Sequence, residues 1–140
     1  MGSCLKDGFL LDANHLGSAV TRNSPVRLKI EQARIAGARF GICIPVLCEI
    51  ETGIQQVRRP DEYRENLRRL FRYVSIWPLD QETARYYGEF RQKLRKKGRV
   101  LSQVDTMIAA LAYQMGLKVL TTDGDFAALP EILKENWLAE

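Results

Sequence analysis

The sequence predicts a single α/β domain in which a small, mostly parallel sheet lies between two layers of helices. Three observations favour this class. The chain of 140 residues is long enough for one hydrophobic core. Short apolar runs alternate with amphipathic segments, as strands alternate with crossover helices in parallel sheets. No repeat or linker divides the chain, so residues 1–140 are expected to form one domain, with 1–7 and 134–140 as peripheral tails.

The first half of the chain predicts two strands and three helices. A capping hydroxyl at Ser24 precedes a proline, and Gly37 offers a stop, which together predict a helix between them. Apolar, β-rich runs predict the strands, and prolines predict the first turns of two further helices. The predicted elements are, in order, a strand at 9–13, a helix at 25–36, a strand at 40–44, a helix at 45–57 and a helix that begins at Pro60.

The second half repeats this alternation. Asp80 and Ser102 can each cap a helix, and Gly98 and Gly116 can end those two helices. Apolar runs before Asp80 and after Gly116 predict two more strands. The predicted elements are a strand at 74–79, a helix at 81–97, a helix at 103–115, a strand at 118–122 and a short helix after Phe126.

The composition excludes several classes of protein. Three cysteines and one histidine are too few for a disulfide framework or for a metal site built from thiolates or imidazoles, so any metal is expected to bind through oxygen. No apolar run approaches the roughly 18 residues of a membrane span. No secretory signal segment is visible, so a cytoplasmic protein without membrane contact is expected. The net charge of +4 is a mild indication of a polyanionic partner.

Four acids are expected to meet at one edge of the sheet. Ligand sites of parallel sheets lie beyond the carboxyl ends of the strands. Asp12 follows the first predicted strand, Glu49 lies one helical turn after the second, and Asp123 follows the fourth. Asp105 lies in the first turn of the helix that leads into the fourth strand. Without a counter-charge these carboxylates would repel one another, and a divalent cation bound through oxygen, Mg²⁺ or Mn²⁺, would remove the conflict.

Each acid also has a purely structural interpretation. Asp12 could cap a short helix after the first strand. Asp105 completes the capping-box pattern SQVD, which requires no chemistry. Glu49 could be a solvated helix residue, and Asp123 and Asp125 could form a turn around a glycine. The joint pattern is harder to explain structurally than any of its members.

Three segments, taken together and in this order, resemble the PIN-domain family, and within it the VapC-type toxins of toxin–antitoxin pairs: FLLDANHLG, PVLCEIETG and SQVDTMIAALAYQMGLKVLTTDGDF. The resemblance runs from residue 9 to about residue 126. It implies a three-layer α/β/α fold and RNA cleavage that depends on Mg²⁺ or Mn²⁺. It also implies a cognate antitoxin protein that blocks the site, and a homodimer.

The resemblance assigns roles to individual residues. It places Asp12, Glu49, Asp105 and Asp123 in the family's acidic quartet. The first, third and fourth of these would hold the metal, and Glu49 would act as a ligand or base. Ala13 departs from the pattern, because the family often has Thr or Ser there. Residues that would support the carboxylates are Asn14, Thr121, Thr122 and Asp125.

An RNA substrate needs positive surface near these acids. One basic stretch leads directly toward the turn that holds Asp105, although such runs are often solvated helix faces. Apolar side chains of the helices at 46–57 and 61–72 could form a groove for the antitoxin or a self-pairing surface. The alternatives to a toxin are a stand-alone RNA-processing nuclease and a non-catalytic binding domain with a structural ion. The residues expected to bind RNA are Arg95, Lys96, Lys97 and Arg99.

Two side chains fit none of these motifs. His15 lies beside the acidic position Asp12, and a loop or helix-face histidine is the expected interpretation rather than a catalytic one. Trp137 is expected to pack at the tail or in an interface.

Overall fold

The structure, a computed structural model, describes residues 7–138 and contains a five-stranded sheet. The strands are β1 (Gly8–Leu11), β2 (Arg39–Cys43), β3 (Ser75–Trp77), β4 (Lys118–Leu120) and β5 (Lys134–Glu135). They lie in the order β3-β2-β1-β4-β5, and each neighbouring pair is parallel. Because β1 is central, the chain crosses from one half of the sheet to the other between β3 and β4.

The helices cover the sheet in two groups. They are α1 (Ala13–Val20), α2 (Pro25–Ile35), α3 (Ile44–Ile54), α4 (Pro60–Leu70), α5 (Gln81–Lys96) and α6 (Gln103–Met115). Helix α1 packs against α2, α3 and α4, whereas α5 packs along α6. This arrangement confirms the predicted three-layer α/β/α class. No helix within residues 7–138 is long and apolar enough to cross a membrane.

The predicted helix caps are present. The side chains of Ser24, Asp80 and Ser102 each accept a hydrogen bond from a backbone N–H in the first turn of the helix that follows. Gly116 ends α6 in the left-handed conformation, at φ 69°, where a residue with a Cβ atom would be strained. The capping chemistry therefore sets the bounds of α2, α5 and α6.

The predicted strands extend too far at their carboxyl ends. The strand predicted at 9–13 ends at Leu11, and the one predicted at 118–122 ends at Leu120. The strand predicted at 74–79 spans only Ser75–Trp77, and the short helix expected after Phe126 is a 3-10 helix at Gly124–Ala128. Polar residues follow both β1 and β4, and there the chain turns out of the sheet.

The core lies around the two central strands. Leu10, Leu11, Val119 and Leu120 are completely buried. Such continuous apolar strands are typical of parallel sheets with both faces covered. Gly41 of β2 lies under the ring of a tryptophan in β3, and a Cβ atom there would lie 2.3 Å from its Cε3 atom. Glycine therefore allows this ring to lie flat on the strand.

The C-terminal segment corrects the prediction of a peripheral tail. Lys134 and Glu135 form β5, which pairs with Val119 and Leu120 of β4. The ring of Trp137 lies 5.0 Å from that of Phe9 and 5.6 Å from that of Phe40. Two strand residues are too few to produce a period in the sequence, which is why the pattern missed them. The remaining predicted tail residues, 1–6 and 139–140, lie outside the described range, and residue 7 is exposed.

Candidate active site

The structure brings the four predicted acids to one pocket of about 200 Å³. The pocket lies where the chain leaves the carboxyl ends of β1, β2 and β4, next to the first turn of α6. Among the residues that the structure describes, no lysine or arginine lines it. The lining residues are Asp12, Ala13, Asn14, Glu49, Ser102, Asp105, Thr122 and Asp123.

Asp12 is a helix cap and a pocket residue at once. It is only 5 % exposed. Its Oδ1 atom accepts hydrogen bonds from the backbone N–H of His15 at 2.8 Å and from Nδ1 of the same residue at 2.9 Å. Its Oδ2 atom accepts a longer bond from the backbone N–H of Thr122, at 3.3 Å. Burial by itself raises the pKa of Asp12, but the hydrogen bonds from His15 outweigh it and hold the pKa below its ordinary value.

His15 lies on a face of α1, as one of the two expected interpretations has it. It lies on the buried face of α1, with no solvent exposure. Its Nε2 atom accepts a hydrogen bond of 3.0 Å from the backbone N–H of Trp137. The signal in the sequence is a histidine three positions after an acid that caps a helix, where the first turn brings the two side chains together.

Asp105 and Asp123 share the other side of the pocket. The backbone N–H of Asp105 donates to Oγ of Ser102 at 3.0 Å, so the predicted cap is real. Burial, together with the adjacent carboxyl groups of Asp123 and Asp12, raises the pKa of Asp105 to about 6 against an opposing contribution from Ser102. A carboxyl group whose ionisation is hindered by neighbouring acids marks a place where positive charge is missing.

Glu49 and Glu51 have different surroundings on α3. Glu49 is exposed and lines the acidic pocket. Glu51 instead accepts a hydrogen bond of 2.8 Å from Nη1 of Arg64 on α4. Only the first of these two acids is therefore available to the pocket.

The predicted supporting residues differ in what they contact. Nδ2 of Asn14 donates to Oγ1 of Thr122 at 3.0 Å, which joins the end of β1 to the end of β4. Oγ1 of Thr121 accepts from the backbone N–H of Asp123 at 3.0 Å. Asp125 is exposed, does not line the pocket, and contributes its backbone N–H to Oδ1 of Asp123 at 2.8 Å.

The donor set of the pocket fits a hard divalent cation. Apart from Ala13, its lining side chains carry carboxylate, hydroxyl or amide oxygens, the kind of ligand that Mg²⁺ and Mn²⁺ prefer. The raised pKa of Asp105 shows that the carboxyl groups already interact without a counter-charge. Within residues 7–138, however, no three acidic, histidine or cysteine side chains form a ready-made metal site.

The predicted basic residues lie beside this pocket rather than in it. Arg95 and Arg99 line a second pocket of about 210 Å³ together with Arg91, while Lys96 is exposed. Nζ of Lys97 donates to the backbone carbonyl of residue 128 at 2.6 Å, so its charge is held against the 3-10 helix.

A parallel five-stranded sheet with acids gathered at its carboxyl edge defines the class of this protein, and the sequence matches the family described as PIN domain over residues 9–132. The chain therefore belongs to the PIN-domain family.

Individual relatives narrow the resemblance to the VapC-type members. Ribonuclease VapC2 of Rickettsia felis is 22% identical over 130 residues, which cover 92% of this chain and 97% of the relative. The tRNA(fMet)-specific endonuclease VapC of Salmonella typhimurium is 26% identical over 130 residues, with the same coverage of both chains. The crystal structure of VapBC2 from Rickettsia felis bound to a DNA fragment from their promoter matches with a TM-score of 0.83 and 22% identity, over 93% of this chain and 98% of that chain. These matches confirm the predicted family and fold.

Proposed function

We propose that this chain is an endoribonuclease and the toxin of a toxin–antitoxin pair, and that it cleaves RNA with the help of Mg²⁺ or Mn²⁺. The observation that carries the proposal is the convergence of four acids, distant in sequence, in one pocket that no lysine or arginine among residues 7–138 lines. The relatives that align with nearly the full chain are named as a ribonuclease and an endonuclease, which supports the same conclusion.

Asp12, Asp105 and Asp123 would hold the ion, with Glu49 as a further ligand or base. When bound, such an ion supplies a Lewis acid for the scissile phosphate and a water molecule of lowered pKa. Hydrogen bonds from His15 keep Asp12 charged and oriented. Glu49 is exposed at the pocket rim, where it can accept the proton that the attacking water gives up.

The RNA backbone would approach along the end of α5. Leu101 borders the pocket of Arg95 and Arg99, and Ser102 borders the acidic pocket, so the two pockets are adjacent along the chain. A phosphate next to the scissile bond would contact these two arginines. Such contacts position the RNA without reading its sequence and weaken as salt increases.

The antitoxin would cover the face formed by α3 and α4. A depression of about 770 Å³ lies between the end of α3 and the start of α4, and Arg58 and Tyr63 are among its lining residues. An arginine of the antitoxin could also reach the acidic pocket and pair with its carboxylates. The similarity to the solved VapBC2 structure supports a protein partner of this kind. We extend the proposal to a cytoplasmic homodimer.

The experiment compares two aspartates that both cap a helix. Asp12 caps α1 inside the pocket, and Asp80 caps α5 outside it, so Asp80→Asn is a matched control for Asp12→Asn. We expect Asp12→Asn to lower the rate of RNA cleavage in Mn²⁺ by about 100-fold or more, because loss of a ligand should exceed the loss of a group that supports one. Asp80→Asn should cleave like the parent.

Equal cleavage by Asp12→Asn and the parent, with both folded, would remove this pocket from catalysis. Uptake of Mn²⁺ by a parent that cleaves no RNA would instead favour a binding domain with a structural ion. Growth arrest on expression, relieved by the product of an adjacent small reading frame, would separate a toxin from a stand-alone nuclease.

A further inference from the structure

His15 is a completely buried polar side chain whose two ring nitrogens both have partners. Nδ1 lies 2.9 Å from Oδ1 of Asp12, and Nε2 lies 3.0 Å from the backbone nitrogen of Trp137. One imidazole ring therefore bridges the end of β1 and the segment that follows β5. The hydrogen bond between Trp137 and His15 joins residues that are 122 positions apart in the sequence.

The hydrogen bonds fix the tautomer of this ring. The backbone N–H of Trp137 can only donate, so Nε2 accepts and the proton of the neutral imidazole lies on Nδ1. Nδ1–H then donates to Oδ1 of Asp12. The same oxygen accepts a second hydrogen bond from the backbone N–H of His15. Two donors of one residue therefore hold Oδ1 of Asp12 in place.

The C-terminal end of the bridge is itself held in place. The ring of Trp137 packs on Phe9, and Nζ of Lys29 lies 4.5 Å above the ring centre. The indole Nε1–H of Trp137 donates to Oε1 of Glu135 at 2.9 Å. The backbone N–H that meets His15 is therefore part of a packed segment rather than a free chain end.

We propose that His15 is a positioning residue that ties the Asp12 carboxylate to the C-terminal segment around Trp137 and thereby sets the affinity of the acidic pocket for its metal ion. The inference rests on the proposed function, since it presumes that Asp12 is a ligand. His15 has no exposed surface and no free ring nitrogen, so it acts through Asp12 and not on the RNA. Hydrogen bonds of this kind orient ligands, and their loss typically costs about 10–100-fold in metal affinity or activity.

Three substitutions of His15 separate its two hydrogen bonds. His15→Asn places an amide nitrogen near the position of Nδ1 and keeps the donor to Asp12. His15→Gln places an amide oxygen near the position of Nε2 and keeps the acceptor for Trp137. His15→Leu removes both groups. Thr83→Val is the matched control, because Thr83 is also buried and hydrogen-bonded but lies outside the acidic pocket.

The readouts are the Mn²⁺ dissociation constant from calorimetry and the rate of RNA cleavage, with unfolding temperature as the measure of fold. We expect His15→Leu and His15→Gln to weaken Mn²⁺ binding by about 10–100-fold. His15→Asn should recover most of that loss, and Thr83→Val should bind Mn²⁺ like the parent even where it lowers the unfolding temperature. Metal affinities that follow the unfolding temperature in all four variants would overturn the inference.

A measurement on the parent protein avoids any failure of the variants to fold. Histidine labelled with ¹⁵N should show a proton on Nδ1, and adding Mg²⁺ should shift the Nδ1 resonance because its acceptor carboxylate then binds the ion. A proton on Nε2, or no Mg²⁺-dependent shift in a parent that binds Mg²⁺, would overturn the inference. A parent that neither binds metal nor cleaves RNA would instead overturn the proposed function.

Discussion

Replacing Asp105 by asparagine should make the metal-free protein more stable at neutral pH while it abolishes RNA cleavage. Burial and the neighbouring Asp123 together raise the pKa of this carboxyl from its ordinary value of 3.8 to about 6. Between these two pH values the folded chain keeps a proton that the unfolded chain has released. The free energy of unfolding therefore falls as the pH rises through this window.

The magnitude follows from the size of the shift. A rise from 3.8 to about 6 corresponds to roughly 3 kcal/mol if the whole shift acts on folding. Asp105 is only partly buried, so solvent screens its interaction with Asp123. We therefore expect Asp105→Asn to raise the free energy of unfolding by only about 1–2 kcal/mol at pH 7.5. For a chain of this length, that gain corresponds to a rise of about 3–8 °C in unfolding temperature.

The assay is thermal unfolding in EDTA across the pH range 4.5 to 7.5, a window of about one unit or more on each side of the raised pKa. Asp125→Asn is the control, because Asp125 is an exposed acid in the 3-10 helix after β4 and does not line the pocket. The gain of Asp105→Asn over the parent should be largest at pH 7.5 and shrink toward pH 4.5. Adding Mn²⁺ should stabilise the parent more than the variant, because only the parent keeps all of its ligands. A variant that is less stable than the parent at pH 7.5, or a gain that does not change with pH, would refute the reasoning.

Substitutions at three further positions test the fold and the proposed RNA contact. Gly41→Ala should lower the free energy of unfolding by about 1–3 kcal/mol in a urea titration, because the added methyl group overlaps the ring of Trp77; an unchanged midpoint would contradict this packing. Ser102→Ala should cost about 1 kcal/mol by removing the cap of α6, and Ser102→Gly only a few tenths, so equal losses would argue against capping. Arg99→Gln should weaken RNA binding. In a plot of the logarithm of the RNA-binding constant against the logarithm of salt concentration, it should make the slope about 0.7 less steep for a single-stranded substrate, and a slope equal to that of the parent would exclude this phosphate contact.

The alternation of elements and most helix bounds could be predicted because they depend on local chemistry. Ser102 and Gly116 bracket α6 by capping and by the left-handed conformation, both of which act within one helical turn. The gathering of acids followed from topology alone, since parallel strands end at the same edge of a sheet.

The features that could not be predicted from the sequence depend mostly on contacts between residues that are distant along the chain. The hydrogen bond between His15 and Trp137 joins segments near the two ends of the chain, and no local sequence pattern predicts it. Strand β5 has two residues, fewer than one full alternation between the faces of the sheet. The strands predicted at 9–13 and 118–122 have a different cause of error: each runs two residues too far, because the chain leaves the sheet directly after Leu11 and Leu120.

The position of β4 beside β1 has a consequence for the order in which the site is made during translation. A nascent chain carries Asp12 and Glu49 long before it carries Asp105 and Asp123, and the first three strands can pair while β4 is still unsynthesised. The proposed active site of a growing polypeptide is therefore only half assembled on the ribosome. RNA cleavage at this site would have to wait until the fourth strand has emerged and docked.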